Sequence, residues 1–176
     1  MIVLGAVLAG GRSSRFGSDK ALALLQGRPL IEHVVDALTA HVNAIAICGR
    51  AFGAHVALTD RPPGVGPLGA MSAALDHAAR QGYEAVLTAP CDVPILSDDM
   101  LRALGRTTAT FLDVCPVIGL WPASVGPLLD DYLLSSRDRS VRGFAQYIGA
   151  TAIGGSWDIV NVNTSDDLAL LELGYG

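Results

Sequence analysis

The sequence predicts a three-layer α/β/α fold built on a mostly parallel sheet, and three observations carry that expectation. Apolar runs of strand length alternate with amphipathic stretches of helix length from residue 2 to about residue 105. The first run, IVLGAVL at 2–8, is apolar throughout, as a strand buried on both faces must be. It breaks into a glycine-rich loop carrying cations: Gly10, Gly11 and Gly17 with Arg12, Arg15 and Lys20. Strand, cationic glycine loop, then helix is where open α/β sheets bind the phosphates of nucleotides.

The remaining elements follow in order. Pro29 opens a helix with Leu30, Ile31, Val34, Val35 and Leu38 at helical spacing. AIAIC at 44–48 and HVALT at 55–59 read as short strands, with Gly49 stopping the first. DRPPGVGPLGA at 60–70 is a rigid proline- and glycine-rich turn, and MSAALDHAARQG is a helix ending at Gly82. EAVLTAPCDVPIL is a strand closing on a Pro-Cys-Asp-Val-Pro turn, and Ser97 caps a helix near 98–105. Beyond it, DVCPVIGLWP reads as a pair of extended strands, and SVGPLLDDYLL and SVRGFAQYIGA as two helices. Thr151 to Ile153 is a short strand, DIVNVNT is extended, and SDDLALLEL is a final helix capped by Ser165.

Composition narrows the function. The chain has 176 residues, enough for one sizeable core, and 51% of them are apolar. A net charge of −5 argues against general binding to nucleic acid or membrane surfaces. A basic loop in an acidic protein is local and suits a small anionic ligand. Cys48, Cys91 and Cys115 have no CxxC spacing, and no secretory leader or membrane span is read, so they are expected as reduced thiols in a cytosolic protein.

Four groups of residues could carry chemistry. The glycine loop fits neither a Walker A motif nor the dinucleotide fingerprint, and its alternative is a loop with solvated charges. Asp92 stands at the carboxyl end of the fourth strand, braced by Pro90 and Pro94, as a Mg²⁺-binding carboxylate or a turn aspartate. Asn161 and Asn163 point to one face of an extended segment, toward a phosphate or metal-bound water or toward turn backbone. Arg137, Arg139 and Arg142 surround a helix start that suits a phosphate or simply faces solvent. His33, His41, His55 and His77 are scattered and form no metal set.

LAGGRSSRFGSDK resembles the signature L-A-G-G-x3-R-x-G-x2-K of the MobA-like nucleotidyltransferases. PCDVP resembles that family's metal-binding aspartate turn, DRPPGVGPLGAMSAAL its segment before the second helix, and IVNVNTSDDL its closing motif. The resemblance spans nearly the whole chain, in the right order. It implies one domain over 1–176 with a Rossmann-like sheet of the nucleotide-diphospho-sugar transferase type. Residues 1–105 would form the nucleotide half, and 106–176 mainly the second-substrate half. It also implies transfer of GMP from GTP to the phosphate of molybdenum-molybdopterin, with Mg²⁺ as cofactor and Mn²⁺ as a candidate substitute. Leu8, Ala9, Gly10, Gly11, Lys20, Asp60 and Asp92 are then expected at GTP, Asp92 at the metal, and Arg15, Lys20 and Asp92 in catalysis. Arg139, Arg142, Asn161 and Asn163 are expected at molybdopterin. A cytoplasmic monomer with transient contacts to molybdenum-insertion and molybdoenzyme chaperone proteins completes the expectation. A cytidylyl- or other small nucleotidyltransferase, and a non-catalytic nucleotide-binding protein, are the rival readings. This chain departs from relatives in three places: Cys48-Gly49 where many carry an asparagine, Cys115-Pro116 for His-Pro, and Arg139-Ser140 for paired arginines.

Overall fold

A computed structural model describes residues 1–10, 19–105 and 107–174. Val3–Leu8 (β1) is an interior strand of a seven-stranded sheet. With Ala44–Cys48 (β4), Val56–Leu58 (β5), Ala85–Pro90 (β6), Thr110–Leu112 (β7), Cys115–Pro122 (β8) and Thr151–Ile153 (β9), the spatial order is β5-β4-β1-β6-β8-β7-β9. Alternation along β1 explains its unbroken apolar run. Val3 and Val7 enter one core, with Leu30–Thr39 (α1) and Asp98–Ala103 (α3), while Leu4, Ala6 and Leu8 enter the other. The second core packs against Pro67–Gln81 (α2), Gly126–Ser135 (α4) and Val141–Tyr147 (α5). Helices thus cover both faces, as expected.

The local signals act largely where the sequence places them. Gly82 closes α2 in the left-handed region at φ 79°, and Ser97 Oγ accepts from the Met100 N–H at 3.2 Å. Four expectations need correction. α2 begins at Pro67, earlier than Met71, because proline is pre-organised for a first helical turn and Gly66 supplies the φ of 68° before it. Leu24–Leu25 (β2) and Arg28–Pro29 (β3) form a small hairpin that apolar patterning does not reveal. The expected strand pair within 113–122 is instead β7 and β8, and the turn between them takes Asp113 and Val114. The helix Ser165–Gly174 (α6) is capped by Thr164, whose Oγ1 accepts from the Asp167 N–H, and not by Ser165.

β8 runs antiparallel to both β6 and β7, while β1, β4, β5 and β6 are parallel. Its buried side is fixed by Trp121, whose Nε1 donates to Thr88 Oγ1 at 2.9 Å, and Thr88 donates to the Val117 carbonyl at 2.6 Å. A polar pair that satisfies itself in the core holds register without leaving a desolvated group. The reversal brings Cys115 and the Asp113 turn to the same edge as the carboxyl ends of β1, β4 and β6.

Candidate active site

The site is built on that carboxyl edge. Ala9 N–H donates to the Cys48 carbonyl at 2.9 Å and Cys91 N–H to the Leu8 carbonyl at 3.1 Å, so β1 is tied beyond its end to both neighbours. Asp92 follows immediately. Its carbonyl accepts from the Val162 N–H at 2.9 Å, which draws the segment before α6 back across the edge. With Val162 buried, Asn161 and Asn163 both face outward, as their spacing predicts.

Lys20 meets this frame from the far end of the glycine loop. Its Nζ donates to Asp92 Oδ2 at 2.7 Å and to Asn163 Oδ1 at 2.9 Å. Three of the sequence-predicted residues, 20, 92 and 163, separated by up to 143 positions, thus share one point. Lys20 is also the sole lysine of the chain, among 12 lysines and arginines together. A compact ammonium is a point charge that reorients more easily than a guanidinium fork.

A second cluster lies at the other end of the loop. A Cβ on Gly10 would stand 3.0 Å from Asp60 Oδ2, so the Asp60 carboxylate abuts the loop's start. Among the described residues Asp60 Oδ1 is buried with no hydrogen-bond partner, and burial pushes the Asp60 carboxyl above its ordinary value. Gly69 fixes the turn beneath it, since a Cβ there would meet the Pro62 carbonyl at 2.5 Å. Arg61 ties the same turn to α2 and α4 through Asp76 at 3.0 Å and Asp130 at 2.9 Å.

The arginines of the second half are committed elsewhere. Arg142 pairs with Asp113 at 2.6 Å and lies over the Phe111 ring, at the same edge of the sheet. Arg139 Nη1 donates to the Ser136 carbonyl at 2.7 Å, within its own turn. Neither arginine, nor Asn161, joins Lys20 in the hydrogen bonds described. Gly11 and Arg15 lie outside the described residues.

Two groups escaped sequence reasoning. Arg50, just past β4, pairs with Asp19, the residue before Lys20. Asp167 Oδ2 accepts from the N–H groups of Asn163 at 2.7 Å and Thr164 at 2.8 Å, which fixes the asparagine's backbone. A cation directly after Gly49 was the available signal for Arg50. Burial, with the Asp92 charge second, pushes the Cys91 thiol up to about 12, which disfavours its thiolate.

Among the described residues no three His, Cys, Asp or Glu side chains gather as a metal cage. One carboxylate and one amide oxygen around a cation suit an ion that takes its remaining ligands from phosphates and water.

Comparison with known proteins decides the family. The model of the MobA-like NTP transferase domain matches residues 5–144. The chain belongs to that family. Proteins named molybdenum cofactor guanylyltransferase from Acidiphilium cryptum and Cereibacter sphaeroides are 32% and 35% identical to it. The alignments cover 96% and 98% of this chain and 93% and 96% of those proteins. Among solved structures, molybdopterin-guanine dinucleotide biosynthesis protein A from Archaeoglobus fulgidus superposes with a TM-score of 0.78 at 22% identity, covering 98% of each chain. A 4-diphosphocytidyl-2C-methyl-D-erythritol synthase from Anaerococcus prevotii shares the fold at 0.73 and 12% identity, covering 99% of this chain and 96% of that one. The expected mostly parallel sheet between two layers of helices is the one observed, and these solved structures share it.

Proposed function

We propose that the protein transfers GMP from GTP to the terminal phosphate of molybdenum-bound molybdopterin, yielding its guanine dinucleotide form and pyrophosphate. The observation that carries this reading is the Lys20 ammonium held between Asp92 and Asn163. It sits in a chain 32–35% identical, nearly end to end, to proteins named for that reaction. The acceptor phosphate oxygen bonds to the α-phosphorus of GTP, and the bond from that phosphorus to the bridging oxygen of pyrophosphate breaks. An acceptor phosphate is already ionised near neutral pH, so no side chain need remove a proton.

What such a transfer asks of a protein is alignment and charge already in place. Lys20, with Arg15, would neutralise the departing pyrophosphate. Asp92 would hold Mg²⁺, or Mn²⁺ in its place, and the ion when bound would draw charge from the α-phosphate. Leu8, Ala9, Gly10 and Gly11 would line the nucleotide. Asp60 suits the base: a part-buried carboxylate accepts hydrogen bonds, and guanine offers two adjacent donors, N1–H and the N2 amine. Cytosine offers no such pair. Asn163 would fix Lys20, and Asn161, Arg139 and Arg142 would meet the pterin. Residues 1–105 thus serve the nucleotide and 106–176 mainly the acceptor. The protein would act as a cytoplasmic monomer and pass its product on through transient protein contacts.

The test is pyrophosphate release and dinucleotide formation by purified protein with Mg²⁺, molybdenum-molybdopterin, and GTP, CTP, ATP or UTP. Transfer with GTP alone is expected. Preference for CTP would overturn the guanylyl assignment, and no release with any nucleotide would overturn catalysis.

A further inference from the structure

Consecutive residues at the end of β4 hold both ends of the glycine loop. Gly49, at φ 91°, packs so tightly on Gly10 that a Cβ there would lie 2.3 Å from the Gly10 Cα. Its N–H is fixed to the Leu58 carbonyl at 2.7 Å. The next residue, Arg50, reaches the opposite end of the loop, where Nη1 pairs with Asp19 Oδ1. Asp19 in turn sets the 3-10 turn Lys20–Leu22, accepting from the Leu22 N–H at 3.0 Å.

Arg50 is placed for others more than for itself. Among the described residues its Nε is buried with no partner, and an uncompensated buried donor costs stability. Arg50 stands beside the residue preceding Lys20.

We propose that Arg50 is a positioning residue for nucleotide transfer: acting through Asp19, it fixes the approach of Lys20 to Asp92. This rests on the nucleotidyl-transfer reading above. Without the pair, the Lys20 turn loses its tie to β4 while the core beneath is untouched, so the rate should suffer more than folding or nucleotide affinity. Small misplacements of a charge-stabilising group are costly in rate.

The test compares Arg50→Met, Asp19→Asn, the double variant and Arg50→Lys in full-length protein. Single-turnover GMP transfer at saturating GTP should fall about 10- to 100-fold in Arg50→Met, with GTP affinity by calorimetry and melting temperature little changed. Asp19→Asn should fall likewise, the double variant no further than Arg50→Met, and Arg50→Lys should recover part of the rate. A second readout needs no turnover. Because the chain has one lysine, ¹³C-lysine labelling gives a single side-chain ε-methylene signal. Its two protons should be inequivalent in the wild type and merge toward the free amino-acid shift in Arg50→Met and Asp19→Asn. Normal transfer by Arg50→Met, losses that multiply in the double variant, an unaltered Lys20 signal, or melting temperatures falling in step with rate would each overturn the inference. A wild-type protein that transfers no GMP would instead overturn the function proposed above, and the lysine signal would still decide the Arg50–Asp19 coupling.

Discussion

Among the described residues, Arg50 and Asp60, on the β4–β5 side of the carboxyl edge, each keep a buried polar atom with no partner, whereas Arg139 and Arg142 spend their guanidinium groups on their own surroundings. The first arrangement costs stability and makes sense where a ligand completes it. The second is cheap, since an exposed ion pair contributes about 0–1 kcal/mol and can be exchanged for another anion at little loss. On the proposed function, the nucleotide side would thus be built in advance, and the acceptor side would hold its cations in reserve. Trp157, in the segment between β9 and α6, is the third residue with a buried unpartnered polar atom among those described, so the contrast concerns the charged groups and not every polar atom.

The contrast can be broken most directly at its centre. Lys20→Ala and Asp92→Ala should each lower GMP transfer roughly 10²- to 10³-fold, equivalent to about 3–4 kcal/mol of barrier, with the fold retained. Near-normal single-turnover rates in either purified variant would remove that residue from the mechanism. Asp60→Asn should weaken kcat/KM for GTP by about 10- to 100-fold, the worth of hydrogen bonds to a charged acceptor. Stability should move the other way. Because the folded Asp60 carboxyl titrates above its ordinary 3.8, its contribution is full below that pH and declines as pH rises through the folded value. The Asn variant lacks that decline, so urea titrations at pH 7 should find it no less stable than the wild type.

Gly49→Ala addresses the backbone contact instead of the charge. The added Cβ meets Gly10 and must adopt a left-handed φ, so a loss of about 1–3 kcal/mol in unfolding free energy is expected. The smallest effect belongs to the acceptor side. Arg142→Met should change stability by less than about 1 kcal/mol, leave the KM for GTP unchanged and raise the KM for molybdopterin. A raised GTP KM instead would erase the division between the two sides.

Sequence pattern reached further into the first half than the second for identifiable reasons. β1 is buried on both faces, so its apolar run could be nothing else, and Ser97 and Gly82 act where their chemistry predicts. Strand direction leaves no such trace: nothing in CPVIGLWP records that β8 runs against β6. The β2–β3 hairpin is two residues per strand, too short for periodicity. At the site, Lys20, Asp92 and Asn163 carried motif signals and do converge. Arg50 belonged to no motif and offered only its place after Gly49, because its pairing with Asp19 lies across 31 positions.

The lone lysine has a chemical consequence. Apart from the N-terminus, the chain offers amine-directed reagents one target, and that target bridges Asp92 and Asn163. Acylation at Lys20 would replace an ammonium with a neutral amide between two oxygens and leave Asp92 without its counter-charge. In a protein rich in lysine such chemistry is diffuse decoration; here it amounts to a stoichiometric address for the proposed reacting centre, legible as one mass increment beyond the terminal one.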